Sequence, residues 1–145
     1  MQRSAQKSLA GVLGAIGLAG ILAGCGQSSI QIAASTAQGD AVHGKALYEQ
    51  CAACHRLTEN NVGPMHCGLF GRKAGTVANF DYSEAMHDSG IVWSTETLDE
   101  FLTMPFSYVS GTRMGFAGFS SATDRQDVIA YLYQANNDPT VCPKG

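Results

Sequence analysis

The stretch Cys51-Ala-Ala-Cys54-His55 constrains this chain more than any other part of it. Two thiols three positions apart, with a histidine directly after the second, form the attachment signature of a c-type haem. Each residue has a chemical reason to be there. Thioether bonds from the two sulfurs to the haem vinyl groups tether the cofactor, and the adjacent imidazole then stands beneath the iron as its proximal ligand. Two other chemistries use a Cys-x-x-Cys pair: half of a zinc site, and a thioredoxin-like redox couple. Zinc needs two more well-spaced ligands. His66 and Cys67 are the only tight candidates, and neighbouring residues rarely both point at one metal. A thioredoxin-like domain needs alternating strand and helix patterns around the motif, and the flanking sequence has none.

The chain has 145 residues, and the first two dozen do not read as domain. The remaining ~105–120 residues suit one domain. A core that small is thin, so a large apolar cofactor would make up much of it. The formal charge of the whole chain is -3. Without the leader's Arg3 and Lys7, seven basic residues face twelve acidic ones. With no basic run and no basic–aromatic interleaving, this balance argues against nucleic acid as a partner. Of 17 glycines, Gly11, Gly14, Gly17, Gly20, Gly24 and Gly26 lie in or beside the leader. Most of the rest mark loops.

Met1 to Lys7 carries two basic and no acidic residues, and Leu9 to Gly24 is uncharged and apolar or small. This is the layout of a secretory signal over residues 1–24, with a hydrophobic part short for a membrane span. The stretch ends in Leu22-Ala23-Gly24-Cys25, which resembles the lipobox of bacterial lipoproteins. The resemblance implies cleavage before a lipidated Cys25, making it the first residue of the mature protein. Cleavage after Ala37, or a retained N-terminal anchor, are the alternatives. Two acyl signals hold a protein at a membrane where one binds marginally. Residues 25–39 are polar and small and read as a flexible tether, with residues 40–145 forming the domain and its C-terminal tail. The tether reaches at most ~50 Å, or ~20 Å as a random coil.

Within the domain, Asp40 suits the N-cap of a helix over 41–50, with Val42, Ala46 and Leu47 on one face. Gly44 inside that helix costs ~1 kcal/mol, so a close helix–helix contact is expected there. Thr123-Asp-Arg-Gln126 has capping-box spacing and opens a helix to about Asn136, with Val128, Ile129, Tyr131 and Leu132 inward. A third helix is expected over 95–103, capped by Ser94, with Leu98, Phe101 and Leu102 inward and Pro105 following. A short helical turn at 83–88 closes at Gly90. No segment reads as a strand, so the fold class is all-α.

An iron that only carries electrons needs a sixth ligand, and His/Met pairing raises its potential. Among five methionines, Met114 stands in a glycine-rich loop and need not fill a core position. Packing is the simpler role for Met65 and Met86.

These blocks together resemble a class I cytochrome c, the group of mitochondrial cytochrome c and bacterial c2-type proteins. The matching text is Gly44-Lys-Ala-Leu-Tyr48 before the Cys51–His55 motif, Val62-Gly-Pro64, and Gly68-Leu-Phe-Gly-Arg-Lys73. It continues through Phe80-Asp-Tyr82, Gly90-Ile-Val-Trp93, Glu96-Thr-Leu98, Pro105, Gly111-Thr-Arg-Met114 and Asp127-Val-Ile-Ala-Tyr-Leu132. The resemblance implies first and last helices packed across each other, with a third helix and loops wrapped around one covalent haem c. It places thioethers on Cys51 and Cys54, and iron between His55 and Met114. It gives the Pro64 carbonyl to the other imidazole N–H, fixing the ring. Arg72, Tyr82 and Trp93 match positions around the haem propionates, and Thr112 a loop residue on the methionine side. Gly44 and Tyr131 match the contact between the first and last helices.

Several departures accompany the match. Phe101 stands where many relatives have tyrosine, and Met86 where many have asparagine. Both remove polar atoms from the haem pocket, together with a place for ordered water. The loop between His55 and Gly63 is shorter than in mitochondrial proteins. Phe106, Ser107 and Ser120 stand near places where docking lysines are expected, so the interface should be less charged and weakly salt-dependent. Cys67 and Cys142 are left over. In an exported protein such a pair argues for a disulfide, and the family fold makes their regions neighbours; two free thiols are the alternative. A bridge would contribute roughly 4 kcal/mol in the chain-entropy account. His66 reads as a surface or packing histidine, and His43 and His87 as solvated helix residues.

The function expected is that of a membrane-tethered, single-haem electron carrier, not an enzyme. It would be a monomer held by lipid outside the cytoplasmic membrane, working between a redox donor and an acceptor such as an oxidase, reductase or dehydrogenase. The alternatives are a dedicated subunit of a dehydrogenase complex, or a haem peroxidase or gas-binding protein.

Overall fold

Asp40 ends an extended segment and accepts hydrogen bonds on Oδ1 from the N–H groups of Val42 (2.8 Å) and His43 (3.2 Å). Two orphan donors are thereby satisfied and helix α1 begins, running Ala41–Ala52. This computed structural model describes residues 37–144; the leader and Cys25 lie outside the described residues. Four further helices follow: α2 (Glu84–Asp88), α3 (Thr95–Thr103), α4 (Pro105–Tyr108) and α5 (Ala122–Asn137). Among the described residues there is no named strand, only an antiparallel bridge between Lys73 and Val92.

The central packing event is the crossing of α1 and α5. A Cβ placed on Gly44 would lie 1.8 Å from the Asp127 carbonyl oxygen, so the two backbones touch with no side chain between them. The ~1 kcal/mol helix cost of glycine secures this approach. Tyr48, one turn on, meets the Tyr131 ring at a tilt, with centroids 5.1 Å apart. Asp127 is buried at 5% exposure and satisfied from α1's start. The Asp40 N–H donates to its Oδ1 at 2.7 Å, and His43 Nδ1 pairs with its Oδ2 at 2.8 Å. His43 is therefore not the purely solvated residue expected from its place on the helix. Its pKa is raised, by the Asp127 hydrogen bond first, and Asp127 is correspondingly lowered by His43.

Helix α3 carries a full capping box between Ser94 and Thr97 and buries Leu98, Phe101 and Leu102. Arg125 of α5 ties it down, donating from Nε to Asp99 Oδ1 at 2.8 Å.

Four details differ from expectation. Val42 is 83% exposed, because the inner face of α1 is set by the Gly44–Tyr48 contact with α5. Helix α5 starts earlier than Thr123: Ser121 is the N-cap, accepting from the Asp124 N–H. Pro105 does not merely stop α3; with its φ suited to a first helical turn it opens α4. Finally, Ala37, read as tether, packs partly buried against the core.

After α5 the tail turns back through a Cys142 N–H bond to the Asp138 carbonyl (2.8 Å). Cys142 is joined to Cys67 by a disulfide with 5.3 Å between the Cα atoms. Beside it, the Leu69 N–H donates to Asn136 Oδ1 at 3.0 Å. The 67–69 segment is thus clasped to the end of α5 twice.

Candidate functional site

The Cys51–His55 motif closes α1 as a tight turn. The N–H groups of Cys54 and His55 both donate to the Cys51 carbonyl, at 3.0 and 2.8 Å. Neither cysteine is in a disulfide; Cys51 packs partly buried against the core and Cys54 is exposed. Burial first, and the neighbouring Cys54 second, push the Cys51 thiol up to about 11. It stays protonated at neutral pH, so it is not a poised redox thiolate.

The loop that follows is strapped back onto this turn. Gly63 N–H donates to the Cys54 carbonyl (2.9 Å), His66 N–H to Arg56 (3.1 Å), and Cys67 N–H to Leu57 (2.7 Å). That registration brings the Pro64 carbonyl to 2.7 Å from His55 Nδ1. A carbonyl oxygen can only accept, so Nδ1 carries the proton and Nε2 keeps its lone pair. Burial lowers the His55 pKa, partly offset by the Pro64 hydrogen bond, and holds the ring in its neutral, ligating form. Gly63 is required at this spot: an added Cβ would lie 2.3 Å from His55 Cε1.

His66 sits on the same ring. Its imidazole stacks on His55 with centroids 4.2 Å apart and planes 21° from parallel. Its Nδ1 shares a 3.0 Å hydrogen bond with the Tyr48 hydroxyl. Burial, then the nearby His55 and Arg72, keep its pKa well below the usual histidine range. With Cys67 in a disulfide, one of the two residues that could have completed a zinc site is committed elsewhere, and among the described residues no group of three or more His, Cys, Asp or Glu could hold a metal ion.

The remaining predicted residues lie on the segments from Arg72 to Met114. Arg72 is half-buried and donates from Nη1 to the Cys67 carbonyl (2.9 Å) and from Nη2 to Met65 (3.0 Å), bracing the loop beneath His55. Tyr82 is half-buried with its ring 4.7 Å from Phe80. Its hydroxyl pKa is raised by burial, and a backbone hydrogen bond at Val77 and the Arg72 charge oppose the rise. Trp93 is buried and meets Phe101 edge-on at 5.1 Å. Thr112 is buried, and its Oγ1 accepts from the Met114 N–H at 3.2 Å, shaping the loop that carries Met114. Met114 itself packs partly buried against the core.

Two cysteines outside any disulfide, an imidazole with a fixed tautomer and a free Nε2, and a glycine close against that ring fit a covalently attached haem. Residues 41–136 match the family model described as Cytochrome c. The chain belongs to the cytochrome c family. It is 43% identical over 107 residues to a cytochrome c of Arabidopsis thaliana, covering 71% of this chain and 96% of that protein. It is 40% identical over 110 residues to cytochrome c2 of Rhodomicrobium vannielii, covering 74% and 88%. In three dimensions it is similar to cytochrome cH from Methylobacterium extorquens, with a TM-score of 0.65 and 38% identity, covering 66% of this chain and 99% of that one. As a cytochrome c family member the protein is a single-haem electron carrier and not an enzyme, with one covalent haem c as cofactor.

Sequence reasoning missed the Tyr48–His66–His55 arrangement. The available signal was that Tyr48 faces inward on α1 and that His66 follows Pro64 by two positions. The fork of Arg72 onto two loop carbonyls had no sequence signal.

Proposed function

We propose that His55 Nε2 and Met114 Sδ would ligate the haem iron, with Cys51 and Cys54 holding the haem through thioethers. The bound haem supplies a one-electron couple. The observation that carries this reading is the 2.7 Å hydrogen bond from His55 Nδ1 to the Pro64 carbonyl. It fixes which nitrogen can ligate and raises its basicity. Thr112 sets the methionine loop, and Trp93 and Phe101 are buried against each other. Arg72, Tyr82 and Trp93 would meet the propionates.

The carrier works between a redox donor and an acceptor protein outside the cytoplasm, held at the membrane through lipid on Cys25. The Leu22–Cys25 stretch supports the anchor; among the described residues no helix is long and apolar enough to cross a membrane. Phe106 at 63%, Met104 at 53% and Val92 at 51% exposure are apolar side chains open to a partner.

The weak near-infrared band of thioether ligated to ferric iron tests the ligand pair. It is expected at neutral pH and should vanish in Met114→Ala. Its absence from the parent protein, or tight carbon monoxide binding by the reduced parent, would overturn the carrier assignment in favour of an open iron site. Mass measurement of mature protein reports haem and lipid together, and a mass without acyl chains on Cys25 would refute the anchor.

A further inference from the structure

We propose that His66 is a positioning residue for the proximal imidazole, fixing its plane through a flat ring that Tyr48 holds in place. The proposal rests on His55 being an iron ligand. A hydrogen bond from Nδ1 to the Pro64 carbonyl pins one atom of the His55 ring, but a single contact of this kind leaves rotation about its own axis. Something must hold the ring face. Gly63 crowds Cε1. The stacked His66 ring, 4.2 Å away and 21° from parallel, supplies a flat surface.

His66 is itself fixed at two points. Its backbone N–H donates to the Arg56 carbonyl at 3.1 Å, and its Nδ1 is bonded to the Tyr48 hydroxyl at 3.0 Å. Tyr48 is 6% exposed and packs against Tyr131 of α5. An unbroken series of contacts therefore runs from the α1–α5 crossing through Tyr48 and His66 to the ligand ring. An aliphatic residue at position 66 would fill the same space without a plane and without an anchor. Aromatic-type stacking adds to packing alone and is geometrically selective. The plane of an axial imidazole sets how the iron d orbitals split, so the arrangement has an electronic readout separate from stability.

The test uses the full haem-loaded protein and three variants: His66→Leu, His66→Phe and Tyr48→Phe. Ferric electron paramagnetic resonance and the haem-methyl proton shifts are recorded for each. His66→Leu is expected to change the spread of g values, to reorder the methyl shifts, and to speed exchange of the His55 Nδ1 proton about three- to tenfold. His66→Phe keeps a flat ring and should return the g values towards the parent. Tyr48→Phe should move them in the same direction as His66→Leu, by less. Parent-like spectra in His66→Leu overturn the proposal, as does a His66→Phe spectrum displaced as far as that of His66→Leu. Should His66→Leu fail to accumulate with haem, Tyr48→Phe decides alone: unchanged g values refute the clamp. A parent protein without low-spin, imidazole-ligated iron would instead refute the ligand assignment itself, an outcome visible before any variant is made.

Discussion

Single atoms decide two tight places in this protein. At Gly44 an added Cβ would stand 1.8 Å from the Asp127 carbonyl, a contact that no side-chain rotation relieves because backbone meets backbone. Alanine gains about 1 kcal/mol of helix propensity over glycine, but prying two helices apart costs more. We expect Gly44→Ala to lose about 2–4 kcal/mol net, measured by denaturant unfolding of the haem-loaded protein. At Gly63 the collision is with a side chain, His55 Cε1 at 2.3 Å. Gly63→Ala should therefore disturb the imidazole before it disturbs the fold, with altered low-spin spectra at a largely preserved far-ultraviolet circular dichroism. The haem was legible in the sequence because its attachment chemistry is local: five consecutive residues carry it. His66 was not. Its partners, Tyr48 and His55, are brought to it by the strapping of loop 61–67, and a histidine beside a cysteine carries no mark of a stacked ring.

Helices are legible to the extent that their ends and faces are marked. Asp40 and Ser94 announce α1 and α3 because a short polar side chain at the N-cap satisfies orphan N–H groups. In α5 two candidate caps compete, and Ser121 wins over Thr123. Helix α4 is a single turn after Pro105, too short for any periodicity to show. Val42 was misread because α1 buries a glycine and a tyrosine instead of an aliphatic stripe. The α1–α5 pair also carries a pH dependence. His43 has a raised pKa, so its contribution is complete below the ordinary value of 6.5 and fades as pH rises through the raised value. Asp127 has a lowered pKa, so its contribution is present above 3.8 and fades as pH falls through the lowered value. The contact is strongest between these limits. Unfolding midpoints measured from pH 5 to 9 should decline across the histidine range in the parent and decline less in His43→Ala.

At the scale of the molecule the Cys67–Cys142 disulfide spans 75 positions. In the chain-entropy account a bridge of that span stabilises by about 4 kcal/mol. Cys142→Ser should lower the thermal midpoint by roughly 15–25 °C. Docking at a weakly charged face makes a further expectation: association with a redox partner should vary less than about threefold in rate between ~0.01 and ~0.15 M ionic strength. The order of matching blocks from Gly44 to Leu132 made the overall architecture readable, since each block fixes its neighbours' places. The contact of Ala37 with the core was not, because small polar segments look alike whether they pack or hang free. The bridge also gives the chain a covalent geography. Residues 67–142 form a closed ring containing Met114, while Cys51, Cys54 and His55 lie on the open arm that leads into it. A protease that nicks the backbone inside the ring leaves every fragment still attached, and only a reducing gel would reveal the cut. One that nicks between 55 and 67 severs the haem-bearing arm outright.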